Sequence, residues 1–258
     1  MNQSFKEKVL ACEYLCGTHA ALPDVVLAEI MASTGFDFVW IDTEHSPLNY
    51  EALLLQIGAV QSAGAAAVVR LSMDDRNHTK RVLEMGPDGV VFPMINTPEE
   101  ADAAMRSCMY PPEGIRGFGP MRATRYGLVD EKEYIRTANE RLCRFIQIET
   151  EEAVKNLPEI IKNPYIDGYI FGPCDLSGSI GRLGDVFGEE TTALIRESIA
   201  ILKAAGKCIG VSTGSTDPKV IRYWKELGIN LISSGTDYRY LLDACLENCK
   251  NIRGVFAE

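Results

Sequence analysis

The stretch FDFVWID at residues 36–42 is a run of mostly apolar, β-branched and aromatic side chains that ends in a carboxylate. A near-continuous apolar run of this length predicts a strand that is buried on both faces of a parallel sheet. Seven similar runs occur elsewhere, at residues 13–17, 66–71, 89–95, 144–149, 167–172, 207–212 and 230–235. The sequence therefore predicts eight parallel strands.

Helical patterns with recognisable ends lie between these runs. One begins after Asp24 and ends before Gly35, and capping or acidic residues predict further helices. Their predicted starts lie at Asp74 or Asp75, Thr97, Thr150, Glu189 and Thr216. Strand and helix in alternation are the signature of an α/β fold of the (β/α)8 TIM barrel type. No Pro- or Ser-rich linker divides the chain, so we predict a single domain over residues 1–258.

The interval 110–140 interrupts this alternation. Structureless stretches of that length are uncommon in compact domains, which predicts that the interval is functional or partly helical. Its glycines follow the order Gly114-x-x-Gly117-x-Gly119 and do not follow a strand. This order differs from the GxGxxG of dinucleotide-binding folds, so we predict no NAD site.

Composition and charge narrow the class of protein. With 46% hydrophobic and 24% charged residues, the chain has the make-up of an ordinary globular protein. Its net charge of −10 disfavours nucleic acid and anionic membrane surfaces as partners. The start, MNQSFKEKVL, lacks the apolar run of an export signal, and no apolar stretch reaches the length of a membrane span. We expect a cytoplasmic protein.

The eight cysteines are scattered through the chain. Cys12 and Cys16, like Cys245 and Cys249, are separated by three residues, a helical spacing rather than the two-residue spacing of zinc or redox motifs. We therefore predict reduced thiols.

Polar residues collect where the predicted strands end, which is the catalytic face of such a barrel. Those at this rim are Asp42, His45, Arg70, Gln147, Glu149 and Asp175. Two carboxylates with open positions suit a hard divalent ion, which makes Glu149 and Asp175 the candidate ligands. The alternative is an ion pair of these carboxylates with Arg70. Arg70 would otherwise carry an uncompensated charge into an apolar layer, and a developing oxyanion is a suitable partner for it.

The three histidines are not equally suited to a catalytic role. His45 is the best candidate for a general base, because an imidazole titrates near neutral pH. His19 follows the first strand, where substrate contact and loop packing are both open. His78 lies in a polar stretch and is predicted to be solvated.

Lysine is lacking at the predicted catalytic rim. Only Lys207 touches a predicted strand, and it lies at the amino end. Schiff-base aldol chemistry and pyridoxal phosphate (PLP) are therefore disfavoured.

Several motifs together resemble the HpcH/HpaI aldolases, class II metal-dependent pyruvate aldolases of the phosphoenolpyruvate/pyruvate superfamily. They are GFDFVWIDTEHSP (35–47), VVR (68–70), PMINTPEEA (93–101), YPPEGIRGFG (110–119), QIET (147–150) and GPCDLSGSIG (172–181). The resemblance runs in order from about Phe5 to Arg253, which is nearly the whole chain.

This resemblance implies roles for individual residues. Glu149 and Asp175 would hold Mg²⁺, Mn²⁺ or Co²⁺, and Arg70 would stabilise the enolate oxygen. His45 would form an acid/base dyad with a carboxylate at Glu84. Pyruvate would be contacted by Gln147, Gly172, Pro173 and Cys174. Ser212 and His19 are the candidates for further substrate contacts. Asp42 would support metal-bound water.

The implied reaction is reversible aldol cleavage of a 2-keto-4-hydroxy acid to pyruvate and an aldehyde. The substrate would be a 2-keto-3-deoxy sugar acid or a 4-hydroxy-2-oxo-dioate. Alternatives are oxaloacetate decarboxylation, acyl-CoA ester lysis or, less favoured, a non-catalytic keto-acid-binding barrel. Four residues depart from the family pattern: Glu84 replaces Asp, Cys174 replaces Ala, His19 replaces Trp and Thr43 replaces Gly. The first two are expected to affect the reaction rate, and the last two to affect which aldehyde half of the substrate is accepted.

The resemblance also implies a homohexamer in which the last helix is exchanged between subunits. The segment after Tyr238 carries an apolar stripe of Leu241, Leu242, Cys245 and Leu246. An ordinary final barrel helix predicts the same stripe.

Overall fold

A closed barrel of eight parallel strands forms the centre of the molecule. The computed structural model describes residues 3–72 and 75–257. Each strand pairs with the next, and the last pairs with the first. The strands are Leu15–Ala20 (β1), Phe38–Asp42 (β2), Ala66–Arg70 (β3), Gly89–Phe92 (β4), Cys143–Ile148 (β5), Gly168–Phe171 (β6), Cys208–Thr213 (β7) and Leu231–Thr236 (β8). The predicted (β/α)8 TIM barrel is confirmed.

Eleven α-helices surround the barrel or close its ends within the described ranges. They are Phe5–Leu10 (α1), Val25–Ala32 (α2), Tyr50–Ser62 (α3), Arg76–Glu84 (α4), Pro98–Cys108 (α5), Glu131–Arg141 (α6), Glu151–Ile160 (α7), Pro173–Ser179 (α8), Glu189–Ala204 (α9), Pro218–Leu227 (α10) and Asp237–Val255 (α11).

Several of the predicted helix starts have side-chain caps. Asp24, Thr97 and Thr150 each accept a hydrogen bond from the backbone three residues on. Asp75 caps α4, whereas the other predicted start, Asp74, lies outside the described residues. Such caps satisfy N–H groups that have no partner within the helix.

Strand β1 begins and ends later than predicted, at 15–20 instead of 13–17. Its second half contains the polar Thr18 and His19, which the apolar pattern did not include. Both are buried and satisfied by tertiary hydrogen bonds: Thr18 Oγ1 lies 2.9 Å from Tyr240 Oη, and His19 Nδ1 lies 3.0 Å from the Gly235 carbonyl. Tertiary partners therefore extend the strand beyond its apolar residues.

The core has two layers because strand side chains alternate between the barrel interior and the surrounding helices. Phe38 and Trp40 point into the interior, whereas Val39 and Ile41 pack against helices. Burial on both sides explains why the strands are apolar almost throughout. Gly17 clears space for the interior: a Cβ there would lie 2.3 Å from ring atoms of Phe38.

The interval 110–140 is partly helical, as predicted. It contains a short 3-10 turn at Arg122–Thr124 and most of α6. Tyr110, Tyr134 and Ala138 form a small buried cluster that anchors it. The segment packs near the end of α4 and so lies toward the amino ends of the strands.

Helix α11 presents most of its predicted apolar stripe to solvent in a single chain. Leu241, Leu242 and Leu246 are 53%, 46% and 58% exposed, and only Asp237 of this helix is buried. Exchange of this helix between subunits remains a prediction. Among the helices described, none has the length and apolar character needed to cross a membrane.

Candidate functional site

A buried ion pair joins the carboxyl ends of β2 and β3. Asp42 and Arg70 are partners in the register of these strands, and they are only 6% and 8% exposed. Arg70 Nε donates to Asp42 Oδ1 at 3.0 Å, and Arg70 Nη2 donates to Oδ2. This bidentate geometry fixes the plane of the guanidinium group.

Glu44 supplies a second carboxylate to Arg70. Its Oε2 lies 3.1 Å from Arg70 Nη1. The loop is folded back by Asp42 Oδ1, which accepts hydrogen bonds from the backbone N–H groups of Glu44 and His45 at 2.9 and 3.3 Å. Burial alone would raise the pKa of Asp42, but hydrogen bonding and charge from Arg70 hold the pKa below its ordinary value. Burial raises the pKa of Glu44, against the opposing charge of Arg70.

The anionic partner that the sequence predicts for Arg70 is therefore supplied within the chain, by two carboxylates. The ion pairs of Arg70 are with Asp42 and Glu44, and no salt bridge joins it to Glu149 or Asp175 in the described chain. The alternative in which Arg70 simply neutralises the two candidate metal ligands is not what the geometry shows.

His45 and Glu84 are not brought together within one chain. His45 is largely exposed, and its Nε2 lies 3.8 Å from Glu44 Oε2. Glu84 is the last residue of α4, which starts just after the carboxyl end of β3 and runs back toward the amino end. Over nine residues this carries Glu84 about 12 Å along the helix axis, to a position beside Gly119.

Glu149 lies immediately after β5 and is buried. Its Oε2 accepts from the Met94 backbone N–H at 3.1 Å, and its Oε1 accepts from Gln147 Nε2 at 2.7 Å. Burial, opposed by the Met94 hydrogen bond but reinforced by the charges of Asp175 and Glu44, raises the pKa of Glu149 to about 7. This carboxylate therefore lies where positive charge would be strongly stabilising.

Helix α8 brings the second candidate ligand to the same edge. Gly172 precedes it, and a Cβ there would lie 2.2 Å from Glu149 Oε1, so only glycine leaves room for this carboxylate. Pro173 is buried at the first helical position, while Cys174 and Asp175 are exposed. Burial, reinforced by the charge of Asp175, raises the pKa of the Cys174 thiol.

The donor set at this edge fits a hard divalent ion. No group of three or more His, Cys, Asp and Glu side chains suited to a metal occurs among residues 3–72 and 75–257. This edge offers two carboxylates, Glu149 and Asp175, and a buried amide oxygen, Gln147 Oε1, that has no hydrogen-bond partner in the described parts of the chain. Hard ions such as Mg²⁺ accept few protein oxygens and take their other ligands from water or substrate.

His19 and Ser212 form a hydrogen-bonded pair inside the barrel. The Gly235 carbonyl can only accept, so His19 Nδ1, 3.0 Å away, carries the proton. His19 Nε2 is then an acceptor for the Ser212 hydroxyl at 3.0 Å. Burial lowers the pKa of His19 to about 4, so its ring is neutral at physiological pH. Its ring contacts Trp40, which also lies beneath Arg70 with 5.6 Å between guanidinium carbon and ring centroid.

Sequence reasoning missed three features of this region. Glu44 lay within the strand-end stretch DTEH, which was its signal, but received no role. Met94 donates its N–H to Glu149 from a left-handed backbone with φ of 54°, which no side-chain pattern shows. The prediction that His78 is solvated was wrong: it is half-buried, and its Nδ1 lies 2.8 Å from Tyr50 Oη.

Comparisons with known proteins agree with this architecture. The family model described as HpcH/HpaI aldolase/citrate lyase matches residues 16–244. A 4-hydroxy-2-oxo-heptane-1,7-dioate aldolase of Klebsiella pneumoniae is 36% identical over 92% of this chain and 89% of its own length. A hydroxypyruvate/pyruvate aldolase of Roseovarius nubinhibens is 32% identical over 91% and 90%. The crystal structure of an HpcH/HpaI aldolase/citrate lyase family protein from Burkholderia cenocepacia is similar with a TM-score of 0.89, at 31% identity over 96% of this chain and 98% of that one.

Proposed function

The chain belongs to the HpcH/HpaI aldolase/citrate lyase family, and from this premise we propose that it cleaves a 2-keto-4-hydroxy acid reversibly into pyruvate and an aldehyde. Two relatives above 30% identity carry aldolase names. The observation that carries the proposal is the shared carboxyl edge of the barrel, where a guanidinium group held by Asp42 and Glu44 lies near the buried carboxylate of Glu149. Such an edge can bind a keto acid and stabilise the enolate formed from it.

Glu149 and Asp175 would hold the divalent ion, and Mg²⁺, Mn²⁺ and Co²⁺ all suit two carboxylates. When bound, such an ion polarises the keto carbonyl and stabilises negative charge on its oxygen. Gly172 leaves Glu149 free to face this position, and the hydrogen bonds from Met94 and Gln147 orient its two oxygens.

Arg70 would stabilise the enolate through the N–H groups that its two carboxylate partners leave unused. A guanidinium group has five N–H donors. Asp42 and Glu44 engage three nitrogens with one N–H each, so two N–H groups remain for substrate oxygens. Positive charge fixed in advance near a developing oxyanion costs no reorganisation during the reaction.

His45 would remove the proton from the C4 hydroxyl, directly or through one water molecule. The electron pair of the C3–C4 bond then becomes the C2–C3 double bond of the enolate, and the aldehyde leaves. Protonation at C3 yields pyruvate. Among the described residues, the carboxylate that lies beside His45 is Glu44, with its Oε2 3.8 Å from His45 Nε2. Because Glu84 of the same chain lies toward the opposite end of the barrel, the dyad has no place in a single-chain mechanism.

Substrate contacts would come from two groups of residues at the carboxyl edge, one for each half of the substrate. Gln147 and the segment Gly172–Cys174 would contact the pyruvate half. The neutral pair of His19 and Ser212 would face the aldehyde half, where hydrogen-bonding groups favour a polar aldehyde. The two substrate classes that fit are 4-hydroxy-2-oxo-dioates and 2-keto-3-deoxy sugar acids.

The proposed assembly is a homohexamer, and the exposed stripe on α11 supports an interface there. Sedimentation of the purified chain at several concentrations would test this directly. A monomer at micromolar concentration would rule the assembly out.

The decisive test of the reaction is proton NMR of pyruvate in D₂O with purified enzyme. We expect exchange of the C3 protons with Mg²⁺ or low Mn²⁺, no exchange with chelator, and loss of exchange in Arg70→Ala. An aldehyde screen with succinic semialdehyde and glyceraldehyde would then separate the two substrate classes. A folded, metal-loaded enzyme that exchanges no protons would overturn the pyruvate-aldolase assignment, and oxaloacetate as substrate would show whether decarboxylation takes its place.

A further inference from the structure

A cavity of about 760 Å³ lies at the amino ends of the strands, away from the proposed active site. Its walls include Phe5 of α1, Ala66 at the start of β3, Asp88 just before β4 and Leu142 just before β5. Barrel enzymes of this type carry out their chemistry at the carboxyl ends. A ligand in this cavity would therefore not be the substrate of the aldol reaction.

Four arginines line this cavity: Arg116, Arg122, Arg125 and Arg141. None of them makes an ion pair with a carboxylate in the described part of the chain, whereas Arg70 makes two. The cavity wall includes one carboxylate, Asp88, whose Oδ2 already accepts hydrogen bonds from Gln61 and the Ala67 backbone at 2.8 Å. On a chain with net charge −10, this is a local concentration of positive charge.

Arg116 is the most informative of the four because it is only 4% exposed. Its Nη2 donates to Tyr134 Oη at 3.0 Å, and its guanidinium carbon lies 4.5 Å from the ring centroid of Tyr110. Its Nε finds no acceptor among the described residues. A buried guanidinium group with neutral partners alone is costly, and an anion in the cavity would offset that cost.

We propose that this cavity binds a small polyanion that carries phosphate groups or several carboxylates. Guanidinium groups match the geometry of both anions and bind them with paired hydrogen bonds. The volume lies within the range of small-molecule sites. Arg125 and Tyr126 adopt left-handed φ values of 51° and 57° beside the cavity, a local strain of the kind found at ligand-binding loops.

Calorimetric titration of metal-free protein tests this site, with pyrophosphate as the phosphate probe and citrate as the carboxylate probe. We expect one equivalent of at least one probe to bind per chain, and the preferred probe identifies the anion class. In the double variant Arg125→Ser/Arg141→Ser, binding should weaken at least tenfold. Both side chains are exposed, so the fold should survive, which circular dichroism would verify.

Two matched variants locate the binding. Arg196→Ser removes an exposed arginine from α9, away from the cavity, and should leave binding of the probe unchanged. Arg70→Ala removes the arginine of the proposed active site and should also leave it unchanged. The proposal would be overturned if neither probe bound. It would also be overturned if the double variant bound the probe as tightly as wild type, or if Arg70→Ala lost binding. A larger assembly in wild type than in the double variant, without probe binding, would instead mark the cavity as a contact between copies of this chain.

Discussion

The two ends of the barrel treat arginine in opposite ways. At the carboxyl end, Arg70 is held by two carboxylates, and its plane is fixed by a bidentate contact. At the amino end, four arginines line a cavity with no ion pair in the described chain. Pairing within the chain fixes the position of a charge, as the proposed role of Arg70 requires, whereas the unpaired charges at the other end are those for which we propose an external anion.

The largest expected effect comes from removing the charge of Glu149. Glu149→Gln should lower kcat/KM for aldol cleavage at least a thousandfold, because one of two proposed metal ligands loses its charge. Stability should change little or rise, since burial raises the pKa of this carboxylate to about 7 and disfavours its ionised form. Kinetics at saturating Mn²⁺ and thermal melting would measure both. Activity within tenfold of wild type would exclude Glu149 as a ligand.

The next largest effect is on the pH dependence of folding stability. It extends the comparison to His19, a buried group that carries no charge. The pKa of His19 is about 4 in the folded chain, against about 6.5 when unfolded. As pH falls from about 6.5 to 4, the unfolded chain gains the proton first, and stability decreases by about 3 kcal/mol from this group. Below pH 4 both states are protonated, and the contribution stops changing.

Urea unfolding of wild type and His19→Gln between pH 7 and pH 4 would measure this term. Glutamine keeps hydrogen-bonding groups but does not titrate, so the difference between the two chains isolates the imidazole. Parallel stability curves for the two proteins would contradict a neutral His19.

Asp42→Asn tests whether pairing, rather than burial, prepares Arg70. The guanidinium group would keep Glu44 but lose its charged bidentate partner. We expect kcat to fall 10- to 100-fold with a smaller change in KM, together with a loss of about 3 kcal/mol of stability. Glu44→Gln is the matched control, with a smaller loss of stability because Glu44 is less buried. Equal losses of kcat and stability in the two variants would show that the bidentate contact with Asp42 is not what prepares Arg70.

The smallest effect is expected at Gly172. A Cβ there would overlap Glu149 Oε1, so Gly172→Ala should displace the carboxylate and weaken apparent Mn²⁺ affinity about tenfold. Gly254→Ala is the control, because a Cβ at that position meets no atom within 4 Å. Unchanged Mn²⁺ dependence of activity in Gly172→Ala would show that Glu149 does not face the metal.

The sequence allowed the barrel and most of the rim to be predicted, for identifiable reasons. Burial on both faces makes each strand a nearly unbroken apolar run, and the polar residue after such a run lies at the carboxyl edge. Asp42, Arg70 and Glu149 were found in this way. Which carboxylate pairs with Arg70 depends on strand register and on the loop that turns Glu44 back, and neither is encoded in a local pattern.

Features built from distant segments were out of reach. The amino-end cavity joins Phe5, Asp88 and Arg141, which no local motif connects. The polar end of β1 depends on partners in β7, β8 and α11. The position of Glu84 follows from the direction and length of α4. Matching a single residue to a family pattern gives neither of these.

The contact between Gly17 and Phe38 has a consequence for how this protein can evolve. Any side chain at position 17 would overlap the ring, which is completely buried and cannot move aside. In a random library at this position, functional clones should retain glycine. A larger residue becomes tolerable once position 38 has already lost its ring, so the order of the two changes matters and the reverse order passes through an inactive chain.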